Sequence, residues 1–357
     1  MNFFFDPDGI AVVGASADPA KVGYYILKNV LGGYQGRIYP VNPRYESLQG
    51  VKCYPNLESI PGDIDLVIYF IPARFLPETI RACANKGVKG IIIESAGFAE
   101  VGEKGRLLQE ESVRIASKLG IRLWGPNCMG LIDGYKRHVF SFLISNQVFD
   151  LLKPGNASFI VQSGMLSAGF MLMMLERGGL GISKMCSIGN KCDVHETELL
   201  EYLIHDETTD VIGMYVESIK DPAGFLKCAR TSKKPIVMLK GGQSPAGARA
   251  AASHTASMAG DYAIMHHVFE QCGITEVRDI GELMDMVRGF SKTRLLSREA
   301  GTAILTFSGG GGIITSDLLY ARGLPVADLS GESLRALQEV FPPWMAPSHP
   351  VDIWPAI

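Results

Sequence analysis

The stretch "GIAVVGAS" (Gly9–Ser16) is an apolar run closed by a glycine turn. It lacks the alternation of a half-exposed strand, so it reads as a strand buried on both faces, as in a parallel sheet. A helical segment, Val22–Leu31, follows the turn. Strand, glycine turn and helix make the first unit of a doubly wound α/β fold. The signal repeats downstream in "GRIYPVNP", "DLVIYFIP", "GIIIES" and "IRLWGPNC", with helices expected at Phe75–Lys86 and Glu103–Leu119. Residues 1–130 are therefore expected to form one Rossmann-like domain.

After a less regular segment around Lys136–Pro154 a second series begins: "ASFIVQSG", "KMCSIGN", "DVIGMYVES", "PIVMLKGG" and "GITEV". Helices are expected between these runs at Met165–Arg177, Glu196–His205, Pro222–Arg230 and Asp261–Cys272, giving a flavodoxin-like domain over residues 131–296. A third series, "TAILTFSGGGG", a helix near Ile313–Arg322 and "GLPVADL", opens a further flavodoxin-like domain, 297–357. It stops too early to close a core, so a longer polypeptide is expected.

Composition narrows the function. The 357 residues are 47% hydrophobic and 20% charged, with a formal net charge of −3. No basic face stands out, which argues against nucleic acid as a partner. The seven cysteines form no CxxC pair, as in a reduced cytoplasmic protein. Cys186, Cys192 and His195 match no zinc spacing and read as ordinary packing, so no metal is expected. The N-terminal "MNFFFDPDGIAVVGAS" has neither a basic leader nor an apolar run that would span a membrane.

The turns carry the chemistry. "VVGAS" ends a strand and opens a helix, where backbone N–H groups and the helix dipole can receive a phosphate, although the motif is not GxGxxG. The second strand ends in "YPVNPR" with no carboxylate for ribose hydroxyls. Arg44 there suits a ribose phosphate, as in NADP or the 3′-phosphoadenosine of coenzyme A. Ile71 and Pro72, in "YFIPARF", fall at the carboxyl edge, where open α/β sheets bind ligands. Asn127 and Cys128 follow the fifth strand in "WGPNCMGLI"; nothing nearby in sequence would lower the Cys128 pKa and make it a nucleophile. "IVQSGMLSAGF" and "LTFSGGGGIITSD" repeat the strand–turn–helix arrangement and point free N–H groups at an anion. Glu217, in "GMYVESIKD", falls at a strand's carboxyl end, as a helix-capping or salt-bridged carboxylate or as the hydrogen-bond acceptor of a histidine nitrogen. One histidine, His254, stands in "AGARAAASHTASMAG" (Ala246–Gly260) among residues too small to pack around an imidazole.

Taken together, "VVGAS", "VNPRY", "GPNCMGLI", "QSGMLS", "YVESIKD", "SHTASMAG" and "SGGGG", in this order, resemble the nucleoside-diphosphate-forming acyl-CoA synthetases, the superfamily of succinyl-CoA synthetase and ADP-forming acetyl-CoA synthetase. The resemblance implies that His254 is phosphorylated in turn by acyl phosphate and by nucleotide, on a segment that moves between two sites, with Glu217 orienting its imidazole. It implies phosphate binding at Gln162, Ser163, Gly164, Ser308, Gly309 and Gly310. Coenzyme A binding is implied at Gly14, Ser16, Asn42, Arg44, Ile71, Pro72, Asn127 and Cys128. Acyl-CoA and phosphate are the implied substrates, and the protein is expected to be an oligomer. The nucleotide step, with Mg-ADP or Mg-ATP, needs an ATP-grasp domain or β subunit, and no P-loop or other nucleotide motif occurs in these residues. Two alternatives remain: a catalytically silent CoA or acyl-CoA sensor attached to a protein acetyltransferase, and an NADP-linked dehydrogenase. His254 disfavours the first. The second leaves the later glycine turns unexplained.

Overall fold

The apolar runs form two sheets. The structure, a computed structural model, describes residues 1–144, 148–177, 180–255, 262–293 and 301–354, without the side chains at 170–172, 174–177 and 252–255. The chain divides into two compact units, Met1–Lys292 and Thr293–Ile357.

In the first unit, β1 (Gly9–Val13), β2 (Arg37–Val41), β3 (Leu66–Tyr69), β4 (Gly90–Ile93) and β5 (Arg122–Trp124) make a parallel sheet in the order β2-β1-β3-β4-β5. Strands β1, β3 and β4 are buried throughout, the reason their sequences do not alternate. Helices α1 (Val22–Gly33), α2 (Leu76–Asn85) and α3 (Glu103–Leu119) are the crossovers. Strand order reverses between β1 and β3, so ligand chemistry belongs at their carboxyl ends.

The second sheet has seven strands. These are β6 (Leu131–Asp133), β7 (His138–Phe140), β8 (Pro154–Val161), β9 (Ile182–Ser187), β10 (Val211–Val216), β11 (Ile236–Lys240) and β12 (Thr275–Val277), in the order β12-β11-β10-β8-β9-β6-β7. Strands β8 to β12 are parallel. The hairpin β6–β7 adds antiparallel to β9, so the segment read as irregular begins with a paired ribbon. Helices α4 (Gly164–Arg177), α5 (Glu196–His205), α6 (Pro222–Thr231), α7 (Pro245–Thr255), α8 (Tyr262–Gln271) and α9 (Ile280–Lys292) complete the unit.

Aromatic and charged contacts join the two sheets within this unit. The Trp124 indole N–H donates to the Ser187 carbonyl at 2.6 Å, and Phe5 stacks on Tyr202 at 4.5 Å. Arg122 bonds both Asp193 and Glu198 at 2.9 Å. The core cluster accordingly runs from Ile10 and Trp124 through to Leu200 and Met214.

In the second unit, β13 (Leu305–Thr306) pairs in parallel with β14 (Val351–Asp352), flanked by α10 (Gly309–Ala321) and α11 (Gly331–Val340). Two expectations need correction. The run of glycines is not a loop before a helix at Ile313: α10 starts at Gly309, with Ser308 as N-cap accepting a hydrogen bond from the Gly311 N–H. A serine cap is strong enough to begin the helix inside a glycine run. "GLPVADL" is not a strand but contributes a single bridge, Thr302 to Val326. Among the described residues, no helix is long and apolar enough to cross a membrane.

Candidate active site

The turn after β1 is built by close approach. Gly14 has φ +97°, and a side chain there would meet the Phe70 carbonyl at 2.3 Å. A methyl group on Gly23 would meet the Gly14 carbonyl at 2.1 Å, so α1 starts directly on the turn. No side chain caps the start of α1, which leaves its first N–H groups for a ligand. Asn42 locks the neighbouring turn: its Nδ2 donates to the Ala15 carbonyl at 2.8 Å and its Oδ1 accepts from the Arg44 N–H at 3.0 Å. Ser16 is buried, with its Oγ accepting from the Asp18 N–H.

A cavity of about 590 Å³ opens at these strand ends, between Gly14, Asn42, Pro43, Leu57, Ile71 and Phe75. Its apolar walls and polar turn fit an adenosine-type group with a phosphate at α1. Gly14, Asn42 and Ile71 line it. Arg44 is exposed one residue beyond Pro43, and Pro72 is exposed beside Ile71, its carbonyl accepting from the Tyr69 hydroxyl.

The turn after β5 faces the second sheet. A side chain on Gly189, at φ +50°, would strike the Pro126 carbonyl at 2.1 Å. Asn127 bonds Asn190, whose Nδ2 donates to Glu100 at 2.6 Å. Cys128 is buried and points its thiol at the Ile93 carbonyl; burial pushes that thiol well above the usual range, so it is no nucleophile. It offers a ligand no exposed side-chain surface. Gly164, the first residue of α4, comes within 3.5 to 3.7 Å of Asn127 and Cys128 by its virtual Cβ. The expected phosphate helix thus ends against the turn at the carboxyl edge of the first sheet.

Glu217 is tied to the residue two positions before α4. Gln162, an expected phosphate ligand, accepts with its Oε1 the N–H groups of Glu217, at 2.7 Å, and Ser218, at 3.3 Å. Ser163 Oγ accepts from the Leu166 N–H at 3.4 Å. Met165 is 75% exposed, so solvent reaches the start of α4. The Glu217 carboxylate accepts from the Tyr215 hydroxyl at 3.2 Å. Two buried lysines the sequence reading passed over, Lys191 and Lys240, reach the same turn. The only sequence signal for Lys240 was a charge placed directly after an apolar run, and Lys191 follows a Gly-Asn turn.

His254 lies in the last turn of α7; its side chain and residues 256–261 fall outside the described residues. α7 packs over Gly242, whose virtual Cβ is 3.4 Å from Ala251, and it also contacts the 3-10 turn Ala99–Val101 that follows the first sheet's β4. The element carrying His254 therefore touches both halves of the unit. Ser308, Gly309 and Gly310 belong to the second unit, where Ser308 caps α10.

Known proteins resemble this chain in sequence and fold. Residues 8–133 match the CoA binding domain model, and residues 154–290 match the succinyl-CoA ligase like flavodoxin domain model. The chain is 41% identical over 355 residues to the acetate–CoA ligase [ADP-forming] II subunit alpha of Pyrococcus furiosus, covering 99% of this chain and 76% of that protein. It is 38% identical to the acetate–CoA ligase [ADP-forming] II of Archaeoglobus fulgidus, of which it spans 53% with all of its own length. Its fold matches the solved dinucleotide forming acetyl-coenzyme A synthetase 1 of Ca. Korarchaeum cryptofilum in complex with phosphate and ADP, with a TM-score of 0.89 and 36% identity, covering 99% of this chain and 75% of that one. A chain with a CoA-domain cavity, a phosphate-type helix and these relatives belongs to the family of NDP-forming, here ADP-forming, acyl-CoA synthetases.

Proposed function

We propose that this chain carries out the CoA and phosphohistidine half-reactions of an ADP-forming acyl-CoA synthetase. One observation carries the reading: the turn Gln162–Gly164 that opens α4 contacts both the Asn127–Cys128 turn, within the segment matched by the CoA binding domain model, and the Glu217 backbone, so the carboxyl edge of the first sheet and a helix start that can take an anion meet in one unit. In this reading residues 1–130 bind CoA, 131–296 hold the phosphohistidine site and 297–357 belong to a third, ligase-associated domain.

The chemistry divides into balanced steps. Phosphate oxygen attacks the acyl-CoA carbonyl, and the thiolate of CoA leaves, giving acyl phosphate. The imidazole of His254 then takes the phosphoryl group, and the carboxylate leaves. Phosphohistidine passes the group to ADP, and neutral imidazole returns. Phosphoryl transfer rests on position and charge rather than on covalent assistance. The free amides at Ser163–Gly164 serve the phosphoryl oxygens, helped by the helix dipole, an effect of about 0.3–2 kcal/mol. Glu217 accepts the imidazole N–H and holds one tautomer, leaving the other nitrogen as nucleophile. CoA supplies the thioester, its adenosine end lying in the cavity at Gly14 and Ile71 and Arg44 meeting its 3′-phosphate. The ADP step requires an ATP-grasp partner, as the subunit designation of the Pyrococcus relative suggests. The relatives compared here are ligases, which gives the sensor alternative no support.

The test is labelling. Incubation with acetyl-CoA and labelled phosphate is expected to give an acid-labile, alkali-stable label on wild type and none on His254→Ala. A label that survives in His254→Ala would place the acceptor elsewhere and end this assignment.

A further inference from the structure

Glu217 sits on a turn where side chains hold the backbone N–H and carbonyl of both Glu217 and Ser218. Its N–H and that of Ser218 donate to Gln162 Oε1. Its carbonyl accepts from Lys240 Nζ at 2.7 Å, and the Ser218 carbonyl accepts from Lys191 Nζ at 2.5 Å. Lys240 is 3% exposed and Lys191 is 6% exposed. Lys191 has a counter-ion, Glu196, at 2.8 Å with 0% exposure. Lys240 ends β11 and also donates to the Gly241 carbonyl, but among the described residues it has no carboxylate within salt-bridge distance.

A buried ammonium without an ion pair is costly, and packing alone does not require one at a strand end. The carbonyls it meets are those of the Glu217 turn and of Gly241, which leads toward α7. Burial pulls the Lys240 and Lys191 ammonium groups below the usual lysine range, and the nearby Glu217 and Glu196 charges oppose that. The two cations approach the turn from opposite sides, since Lys191 follows β9 and Lys240 ends β11, with β8 and β10 between them.

We propose that Lys240, with Lys191, is a positioning residue for phosphoryl transfer: the two ammonium groups clamp the carbonyls of Glu217 and Ser218 and so fix the height and direction at which Glu217 meets the histidine. The proposal rests on the phosphohistidine reading above. The lysines touch neither substrate nor the transferred group; they act through Glu217. A misplaced Glu217 would slow transfer while leaving the CoA cavity, on the other sheet, intact.

A double-mutant cycle separates this role from a structural one, because a residue that acts only through Glu217 has nothing left to lose once Glu217 is changed. The measured rate is single-turnover labelling of His254 from acetyl-CoA and labelled phosphate, with CoA affinity measured by equilibrium binding. Lys240→Met is expected to slow labelling on the order of 10²-fold with CoA affinity unchanged, and Lys240→Arg to recover part of the rate. In a Glu217→Gln background, Lys240→Met is expected to add no further loss. Multiplying effects in the double variant, or an unchanged rate in Lys240→Met, overturns the proposal. If Lys240→Met does not fold, as judged by lost CoA binding, the cycle is run with Lys240→Arg and with Lys191→Met under the same criteria. Wild type that never labels at His254 defeats the parent reading instead, so the two failures are distinguishable.

Discussion

Glu94, the residue after β4, is 3% exposed and lacks a well-formed hydrogen bond to either carboxyl oxygen among the described residues. Desolvation raises its pKa well above the usual carboxylate value, and the nearby Phe142 amide offsets this only in part. The folded state therefore keeps a proton that the unfolded chain releases above about pH 4.3. Stability is full below that pH and falls as pH rises toward the folded-state value, by at most about 1.4 kcal/mol per pH unit. Glu94→Gln removes the ionisation. Its urea midpoint should exceed that of wild type by a margin that widens from pH 5 to pH 7; a margin independent of pH would mean the carboxyl is already ionised in the fold. Such residues were the least legible in the sequence. Glu217, Gln162 and Gly164 stand in turns that announce themselves, whereas Glu94, Lys191 and Lys240 look like solvated charges until two sheets bury them.

At the level of elements, the strand-turn-helix unit at Gly14 depends on how closely α1 approaches β1. Gly23→Ala puts a methyl group against the Gly14 carbonyl, where backbone cannot yield, and overpacking of this kind costs about 1–3 kcal/mol. Gly289, in α9, has nothing within 4 Å of its virtual Cβ, so Gly289→Ala should instead stabilise by about 0.4–1 kcal/mol. Thermal melts should move in opposite directions, and CoA affinity should fall for Gly23→Ala alone. Equal shifts would show that the turn tolerates a side chain. Helices with a long, regular pattern were legible to the residue, Glu103–Leu119 and Glu196–His205 among them. The hairpin β6–β7 was not, because strands of three residues hold too little periodicity and pair only once β9 is in place. The start of α10 was missed for a different reason: glycine's poor propensity was overridden by the Ser308 cap.

At the scale of the whole molecule, a parallel sheet presents its ligands at the carboxyl edge, and the first unit turns two such edges toward one another through Gly164 and Gly189. The α/β class was legible because buried parallel strands leave continuous apolar runs; the facing of the sheets was not, since it rests on contacts such as Trp124 to Ser187, 63 residues apart. This arrangement separates the proposed reaction into a part the unit holds and a part it does not. In the proposed reaction, acyl-CoA cleavage and histidine phosphorylation use the cavity at Gly14, α4 and Glu217, all in Met1–Lys292. Transfer to nucleotide needs a site for the adenine and diphosphate of ADP, which the proposed reaction assigns to an ATP-grasp partner. The chain by itself should therefore take up label from acetyl-CoA and phosphate to at most one phosphoryl group per chain, and added Mg-ADP should leave that label in place. An ATP-grasp subunit added to the labelled protein should discharge it into ATP within a turnover, with loss of label from His254 matching ATP formed. Discharge by Mg-ADP without the partner would put the nucleotide site in this chain and remove the need for a second subunit.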